Sequence, residues 1–378
     1  MAIENNDVTH TDVSNIGVIG CGSISGQYLG MAKSFPSVRI AAVSDMNIEV
    51  AKKKAMEFGV PRAVSVDEIF TDSSIDIILN LTIPAAHLPI AIRAIEAGKH
   101  TYAEKPLGVD REEGKKLIAL AAAKKLRVGC APDTFMGAGI QTARKAVDDG
   151  LIGKPVGFTA FMLGGGHENW HPSPEFYYAP GGGPMFDMGP YYLTALLQIL
   201  GPIKRIAGSA SIAIPERTIT SQPKNGTKMH VTTPDHIAGL IEFENGAAGS
   251  IFTSFATAIA QYDRAQPIQI FGTLGTLFVP DPNGFDGDVY IQLRGEKERQ
   301  LLPKATAIGY GRSVGLADMA QAIRENRPHR CSLEQAFTVL DVMQGFLDSS
   351  SNGTWYTPGK GYVRTAPIAP GAAFGVLS

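Results

Sequence analysis

The tripeptide Glu104-Lys105-Pro106 ends a strand pattern that begins at Lys99, and it is the segment that most directly predicts chemistry. Open α/β folds bind their ligands at the carboxyl ends of parallel strands. A lysine at that edge, next to a bound dinucleotide, can exchange a proton with a substrate hydroxyl while a hydride moves. A single lysine at a strand end is usually an ordinary surface residue, so this prediction depends on motifs elsewhere in the chain.

A glycine-rich segment roughly eighty residues earlier predicts where the dinucleotide binds. The run Gly20-Cys-Gly22-Ser23-Ile24-Ser follows a short apolar strand and opens a helix, which matches the Rossmann fingerprint with serine at its third small position. Asp45 ends the second strand, where its carboxylate can accept hydrogen bonds from ribose hydroxyls or cap a turn. Its charge would repel a 2′-phosphate, and Met46 follows it where NADP-binding chains often place arginine. The predicted cofactor is therefore NAD, with NADP less favoured.

A third group of polar residues lies in the second half of the chain. Asp187 and Tyr191 are four residues apart, so on a helix they would share one face. The glycine-rich loop before them carries His167, Trp170 and His171, where the indole offers a flat surface for a sugar ring and the imidazoles offer hydrogen bonds. These five residues form the predicted substrate site. A metal site is not predicted, because the two histidines lie in a loop rich in glycine and proline and not on an evident helix.

Alternating strand and helix patterns over residues 14–134 predict the elements that position the first two groups. The apolar strands at 16–19, 38–43, 76–81, 99–104 and 127–130 are separated by helical stretches. This alternation is typical of a parallel sheet covered on both faces, and therefore of a dinucleotide-binding Rossmann domain of the α/β class. Residues 1–13 are predicted to form a loose polar leader.

The pattern changes in the rest of the chain, and residues 135–378 are predicted to form an α+β domain for substrate binding and oligomerisation. Strand patterns follow one another directly there, and Asn245-Gly246 between two of them is a strong hairpin signal. Helical patterns cover about 185–200, 314–325 and 333–347. Such a run predicts a large, mostly antiparallel, open-faced sheet with helices on one face.

Composition excludes several other classes of protein. The 378 residues carry 34 Lys+Arg against 36 Asp+Glu without a basic stripe, so nucleic-acid binding is not predicted. No apolar run approaches the ~18 residues that cross a membrane, and the first residues lack an apolar secretory core, so no membrane association is predicted. The three cysteines are scattered without metal or redox spacing, which is typical of reduced thiols, and a cytoplasmic location is predicted.

Together these motifs resemble the Gfo/Idh/MocA oxidoreductase family, named for glucose–fructose oxidoreductase, inositol dehydrogenase and a rhizopine-catabolism protein. The resemblance extends from Ile16 to about Asp348. Its carriers are the Gly20–Ser25 run, Asp45, Thr82-Ile-Pro84 with His87, Glu104-Lys105-Pro106, Gly150-Leu-Ile-Gly153-Lys-Pro155 and the segment from Gly181 to Tyr191. The resemblance implies a Rossmann domain followed by an open-faced α+β domain, with the substrate held between them against the nicotinamide.

The resemblance also implies roles for the residues of the Glu-Lys-Pro segment. Lys105 would be the proton-transfer residue, and partial burial together with the positive charge of an oxidised nicotinamide would lower its pKa. Glu104 would orient Lys105 or bind the cofactor ribose, and Pro106 would follow a cis bond. Further cofactor contacts would come from Thr82, Pro84 and His87.

The same resemblance bears on the second half of the site. Many relatives carry histidine where this chain has Tyr191, so a histidine-assisted relay is not expected here. Tyr191 would instead donate a hydrogen bond to the substrate oxygen or share the proton with Lys105. Asp187 would bind a sugar hydroxyl or hold Lys105 in place.

The predicted activity is oxidation of a secondary hydroxyl of a sugar, glycoside or cyclitol by an NAD-dependent dehydrogenase, with Lys105 as proton acceptor. Two alternatives stay open: an NADPH-dependent imine or enone reductase, and a dinucleotide-sensing regulatory protein without turnover. A homodimer or homotetramer through the C-terminal sheet is expected, chiefly by resemblance. The alternating Ile237, Gly239, Ile241 and Phe243 are compatible with an apolar sheet face that another subunit covers.

Overall fold

The computed structural model describes residues 13–260 and 262–377, so all but Val13 of the predicted leader at 1–13 lies outside the described residues. The first unit is a five-stranded parallel sheet in the order β2-β1-β3-β4-β5, with helices between successive strands. Its strands are β1 (Ser14–Ile19), β2 (Val38–Ser44), β3 (Ile77–Asn80), β4 (His100–Ala103) and β5 (Val128–Cys130). Its helices are α1 (Ser25–Ala32), α2 (Ile48–Phe58), α3 (Val66–Thr71), α4 (Pro84–Glu96) and α5 (Arg111–Lys124).

The strand order of this sheet places a crevice at the ends of β1 and β3. The chain passes from β1 outward to β2 and then returns to the other side of β1, so the strand order reverses between β1 and β3, and open α/β sheets bind ligands at such a switch point. Gly20, directly after β1, has φ +98, and a Cβ there would lie 2.8 Å from the main chain of Leu81. Only glycine permits this close approach of the two loops.

Side-chain caps explain where several helices of this unit begin. The Asp110 carboxylate accepts hydrogen bonds from the N–H groups of Glu112 and Glu113 at the start of α5. Ser65 and Glu68 form a reciprocal capping box that starts α3. Helix α3 was not predicted, because its six residues are too few to show a helical period.

The second unit is built around an eight-stranded sheet in the order β15-β14-β13-β12-β6-β11-β10-β7. Only β6 and β11 pair in parallel, and the other neighbours are antiparallel. The strands are β6 (Pro155–Leu163), β7 (Ile203–Ser211), β8 (Glu216–Thr218), β9 (Lys228–His230), β10 (His236–Phe243), β11 (Ala248–Ser254), β12 (Ile268–Gly272), β13 (Gly275–Val279), β14 (Tyr290–Leu293) and β15 (Gln300–Leu301). The helices are α6 (Ala138–Asp148), α7 (Gly183–Asp187), α8 (Gly189–Leu200), α9 (Val314–Arg324) and α10 (Leu333–Asn352). The predicted fold class is confirmed.

One face of this sheet is covered by helix α10. A Cβ at Gly239 would lie 2.4 Å from the Phe346 ring, so the missing side chain lets α10 rest directly on β10. Ile237, Ile241 and Phe243 are buried on the same side as Gly239. The expectation that these four residues form the outer face was therefore wrong: alternation shows which residues share a face but not which face the chain's own helices cover.

The hairpin predicted at Asn245-Gly246 joins β10 to β11, and Gly246 takes φ +90 in the turn. The short ribbon β8–β9 was not predicted, because strands of three residues carry too little pattern. Within the described ranges no helix has the length and apolar character that a membrane crossing requires.

Candidate active site

Lys105 connects the two units of the molecule. It follows β4 at the carboxyl edge of the parallel sheet, and its peptide bond to Pro106 is cis. Its Nζ donates to Oδ1 of Asp187 at 2.9 Å and to the main-chain oxygen of Asp187 at 2.7 Å. Only 15% of the lysine side chain is exposed. The amine is therefore held at the boundary between the Rossmann unit and the second unit.

A break between α7 and α8 makes the main-chain contact to Lys105 possible. The single helix predicted over 185–200 was wrong, because Pro190 has no N–H with which to continue the helical hydrogen bonds. The N–H of Tyr191, which would serve Asp187 in an unbroken helix, donates to the main-chain oxygen of Met188 at 3.1 Å. The main-chain oxygen of Asp187 consequently accepts from Lys105. Asp187 and Tyr191 face the same lysine from two successive helices.

The Lys105–Asp187 pair is an ammonium and a carboxylate. Burial acts to lower the pKa of Lys105, but the Asp187 carboxylate, with Tyr191 and Glu104, outweighs burial and raises it above its ordinary value. Burial acts to raise the pKa of Asp187, but Lys105 and His167 lower it to about 2. The expectation of a lowered lysine pKa was therefore wrong for this arrangement, because Asp187, which was expected either to bind a sugar hydroxyl or to hold Lys105, lies close enough to outweigh burial.

Tyr191 lies between two cations. Lys105 Nζ is 5.1 Å from the centroid of the Tyr191 ring, and Arg312 Nη2 donates to the Tyr191 hydroxyl at 2.9 Å. Arg312 is buried, with Nη1 3.4 Å from Oδ1 of Asp133. Oδ2 of Asp133 accepts from the N–H groups of Ser313 and Gly315. Tyr192, the neighbouring tyrosine, instead donates to the main-chain oxygen of Phe161.

Two buried side chains hold the loops on which Lys105 depends. Glu104 accepts from the Tyr28 hydroxyl at 2.7 Å and from the N–H of Lys105 at 2.9 Å. His87 lies with Nδ1 2.6 Å from the main-chain oxygen of Pro106 and Nε2 3.1 Å from that of Thr82. Burial outweighs these contacts and lowers the pKa of His87. His87 therefore braces the loop after β4 against the loop after β3 and turns neither nitrogen toward the cleft.

A cleft of about 290 Å³ opens beside Lys105. It is lined by Ile24, Thr82, Pro84, Glu104, Lys105, Pro106, Phe176, Tyr177, Gly181, Gly182, Phe186, Asp187 and Tyr191. The structure thus brings the predicted Thr82, Pro84, Lys105, Asp187 and Tyr191 together. A cavity of about 630 Å³ elsewhere, between α5 and the C-terminal segment, contains none of the predicted site residues.

The predicted substrate-binding residues His167, Trp170 and His171 are not among the residues that line this cleft. Trp170 Nε1 donates to His167 Nδ1 at 3.2 Å, and His167 Nε2 lies 3.4 Å from Oδ2 of Asp187 without a well-directed hydrogen bond. His171 Nδ1 accepts from the N–H of Ser173. Aromatic walls of the cleft come instead from Phe176 and Tyr177, which are also part of the 164–183 segment. No metal-binding cluster of His, Cys, Asp or Glu occurs among the described residues.

A buried ionic network anchors this loop. Arg217, on β8, donates to Oε1 of Glu168 at 2.7 Å and to Oδ2 of Asp235 at 2.9 Å. It also donates to the main-chain oxygen of Phe255 at 2.8 Å. The Tyr178 hydroxyl donates to the other oxygen of Glu168. The ribbon β8–β9 therefore fixes the segment that supplies the aromatic walls.

The glycine-rich loop fits a dinucleotide. A Cβ at Gly22 would meet no heavy atom within 4 Å, so the space beyond this glycine is open. In the part of the chain that the structure describes, the N–H groups of Gly22, Ser23 and Ile24 at the start of α1 donate to no protein acceptor. Such groups at a helix N-terminus hold phosphates. Gly22, Ser23 and Ile24 would therefore hold the pyrophosphate of a bound dinucleotide, whereas the N–H of the predicted Gly20 already donates to the main-chain oxygen of Ser44 at 2.9 Å.

Asp45 directly follows β2 and lies against the glycine-rich loop. Its Oδ2 accepts from the N–H of Cys21 and its Oδ1 from the N–H of Asn47, each at 2.9 Å. The carboxylate borders a cavity of about 500 Å³ together with Ile48 and the fully exposed Met46. Each carboxylate oxygen keeps acceptor capacity for a ribose hydroxyl. The nearby Cys21 is no nucleophile, because burial and Asp45 raise its pKa to about 11.

The comparisons with known proteins agree with this geometry. Residues 14–131 match the oxidoreductase family with the NAD-binding Rossmann fold, and residues 140–278 match the GFO/IDH/MocA C-terminal domain. The levoglucosan dehydrogenase of Pseudarthrobacter phenanthrenivorans is 25% identical over 386 aligned positions, covering 90% of this chain and 97% of that protein.

Solved structures show the same fold. An NAD-binding oxidoreductase from Klebsiella pneumoniae superposes with a TM-score of 0.80 at 21% identity, covering 92% of this chain and 100% of that chain. A levoglucosan dehydrogenase in complex with NADH and levoglucosan superposes with a TM-score of 0.77 at 22% identity, covering 92% and 100%.

The chain belongs to the Gfo/Idh/MocA family. It is an NAD(P)-dependent oxidoreductase with an NAD-binding Rossmann fold, so the predicted family, enzyme class and cofactor class are confirmed. The alternative of a regulatory protein without turnover is not supported.

Several residues of the site carry no signal in the sequence. Arg312 and Tyr28 contact the cleft residues Tyr191 and Glu104 from segments distant in the chain, and neither belongs to a recognisable motif. Phe176 and Tyr177 look like ordinary loop aromatics. The one available hint was the short polar run around Asp133, next to the predicted domain junction, whose carboxylate now proves to hold Arg312.

Proposed function

We propose that this chain is an NAD-dependent dehydrogenase that oxidises a secondary hydroxyl of an uncharged sugar, glycoside or cyclitol. The observation that carries the proposal is the placement of Lys105 Nζ at the cleft, 2.9 Å from Asp187 and over the ring of Tyr191. A bound NAD supplies a hydride acceptor. The chain's own residues then have to bind the hydroxyl, orient it and move its proton.

Lys105 is the proposed proton acceptor. In the ammonium form it can only donate, so oxidation uses the form whose proton has left. The positive charge of a bound oxidised nicotinamide favours that loss, in opposition to Asp187. In the reverse direction, which reduces a carbonyl, the ammonium form of Lys105 can donate the proton directly to the substrate oxygen. We therefore assign Asp187 to holding the amine, and Tyr191 to donating a hydrogen bond to the same substrate oxygen.

The walls of the cleft favour an uncharged ring. Phe176, Tyr177 and Phe186 offer apolar surfaces, and apolar sugar faces pack well on aromatic rings. Among the described lining residues the one cation, Lys105, is already paired with Asp187. A phosphate or carboxylate on the substrate would enter this site without a partner for its charge.

The test of this activity is the absorbance of reduced nicotinamide across a panel of uncharged sugars, glycosides and cyclitols with NAD. Levoglucosan is included because a relative is named for its dehydrogenation. Matched uronates and sugar phosphates serve as charged counterparts, and we expect turnover of uncharged members only. No turnover across the uncharged panel by a protein that binds NADH tightly would contradict the proposal.

The preference for NAD over NADP is assigned to Asp45. Replacing it with asparagine removes the charge and keeps an oxygen for the N–H of Cys21. We expect the ratio of NADPH to NADH affinity to rise about 10–100-fold, which corresponds to about 1.4–2.8 kcal/mol. Fluorescence titration with both reduced cofactors measures this without a substrate. Glu49→Gln, a change of equal charge on the exposed surface of α2, is the matched control and should leave the ratio unchanged.

A second copy of the chain is proposed to cover the outer face of the eight-stranded sheet, which is the face opposite α10. Leu240 on this face is 51% exposed. The rings of Phe161 and Phe252 stack there with centroids 5.7 Å apart, and Tyr262 lies against them. A continuous, partly apolar sheet face is typical of a subunit interface. The proposed assembly is a homodimer or homotetramer.

Replacing Leu240 with aspartate should shift the assembly toward monomers, because each symmetric contact would bury a charge without a partner. Light scattering at micromolar concentration measures the mass of both proteins. Leu151→Asp changes an exposed leucine away from the sheet and should leave the mass unchanged. A wild-type monomer under these conditions would disprove the interface.

A further inference from the structure

The hydroxyl of Tyr191 accepts a hydrogen bond from an arginine. Arg312 Nη2 donates to it at 2.9 Å, and the guanidinium carbon is 5.3 Å from the centroid of the tyrosine ring. We propose that Arg312 is a positioning residue for the reaction, which aims the Tyr191 hydroxyl proton at the substrate oxygen. This inference rests on the proposed dehydrogenase function and adds to it a residue that acts through Tyr191.

The direction of the contact follows from the chemistry of the two groups. A guanidinium has five N–H donors and no acceptor, so Tyr191 must accept in this hydrogen bond. The proton of the Tyr191 hydroxyl therefore points away from Arg312. Among the described residues no acceptor receives that proton. Because Tyr191 lines the cleft beside Lys105 and Asp187, the proton is available to an oxygen bound there.

The charged groups around Tyr191 leave its hydroxyl protonated and strengthen it as a hydrogen-bond donor. Burial raises the pKa of the hydroxyl, Lys105 and Arg312 act to lower it, and Glu104 and Asp187 act to raise it. The group stays neutral near pH 7 and keeps its proton. The two cations strengthen its donation to an oxygen that gains negative charge as the substrate hydroxyl loses its proton.

Arg312 is itself held from both units of the molecule. Nη1 lies 3.4 Å from Oδ1 of Asp133, a fully buried carboxylate just after β5. Nη2 also donates to Oδ1 of the exposed Asn283 at 3.3 Å. The Phe285 ring lies 5.6 Å from the guanidinium carbon. A long side chain fixed at these points has little freedom to swing away from Tyr191, as a positioning role requires.

The first test is a double-mutant cycle with Arg312→Lys and Tyr191→Phe. Lysine keeps the charge but loses the forked donor geometry. We expect Arg312→Lys alone to lower kcat about 10–100-fold with an unchanged NADH affinity, and to have no further effect in the Tyr191→Phe background. Independent losses that multiply in the double variant would show that Arg312 does not act through Tyr191, and would overturn the proposal.

A milder variant covers the case in which Arg312→Lys fails to fold. Asn283→Ala removes one acceptor of Arg312 at an exposed position. We expect a loss in kcat of about 2–5-fold that disappears when Tyr191 is phenylalanine. A loss of the same size in both backgrounds would count against the proposal.

A third measurement needs no substrate and separates this inference from the proposed function. Removing the cation with Arg312→Gln should move the ultraviolet ionisation of Tyr191 to higher pH, isolated by difference against Tyr191→Phe. An unmoved titration would overturn the Arg312 contact even if the sugar panel shows turnover. A shifted titration in a protein that turns over no panel member would sink the proposed function and keep the pairing of Arg312 with Tyr191.

Discussion

Replacing Lys105 with methionine is expected to lower the rate of hydride transfer about 10²–10⁴-fold, the usual range for the loss of a positioned acid–base group. Binding of NADH should persist, because the pyrophosphate contacts proposed for Gly22, Ser23 and Ile24 do not involve the amine. Single-turnover absorbance with a substrate from the uncharged panel measures the rate, and fluorescence titration measures cofactor affinity.

The Lys105→Met variant leaves the partly buried Asp187 carboxylate without its charged partner, so a loss of stability could imitate a loss of catalysis. The double variant Lys105→Met with Asp187→Asn is the control, because it removes both charges. We expect the double variant to regain thermal stability and to stay inactive. If either variant turned over within tenfold of the wild type, Lys105 would have no part in proton transfer.

Replacing Arg217 with methionine is expected to lower the free energy of unfolding by about 3–5 kcal/mol, the usual cost of breaking a buried ion pair on one side. Asp235 is fully buried, and of its partners among the described residues its carboxylate would keep the N–H groups of Ala213 and Ile214. Glu168 would lose its charged partner at the same time. Chemical denaturation followed by circular dichroism measures the change.

The matched control for this prediction is Arg205→Met. Arg205 forms an equally well-directed pair with Glu242, with donor–acceptor distances of 2.7 and 2.8 Å, but on the exposed edge of the sheet. Exposed pairs contribute little to stability, so the control should unfold almost as the wild type does. Equal losses of unfolding free energy in the two variants would show that burial does not explain how much the Arg217 network stabilises the fold.

The parts of the site that were predicted from sequence are those whose chemistry lies in consecutive residues. The glycine run after β1 and the Glu104-Lys105-Pro106 segment are local patterns, because a tight turn or a strand end needs particular residues at particular steps. Their position at the carboxyl edge then follows from the alternation of strands and helices. The parallel sheet, the mostly antiparallel second sheet and the hairpin at Asn245-Gly246 were predicted for the same reason.

What was missed depends on contacts between distant segments. Arg312 meets Tyr191 only because the segment before α9 folds back on the Rossmann unit. The direction of the Lys105 pKa could not be predicted, because it depends on how closely the Asp187 carboxylate approaches. The face on which Ile237 and Gly239 lie is decided by α10, a helix nearly one hundred residues further along the chain.

The interruption between α7 and α8 has a consequence for which changes position 187 can tolerate. One of the two oxygens that grip the lysine belongs to the peptide backbone, which every amino acid supplies. A related chain could therefore carry another residue in place of Asp187 and still hold the lysine amine through this main-chain oxygen. The charge beside the amine would change, but its position would stay similar. A residue with an N–H at position 190 would let the main-chain oxygen of Phe186 continue the helix, and the N–H of Tyr191 would then compete with Lys105 for the main-chain oxygen of Asp187.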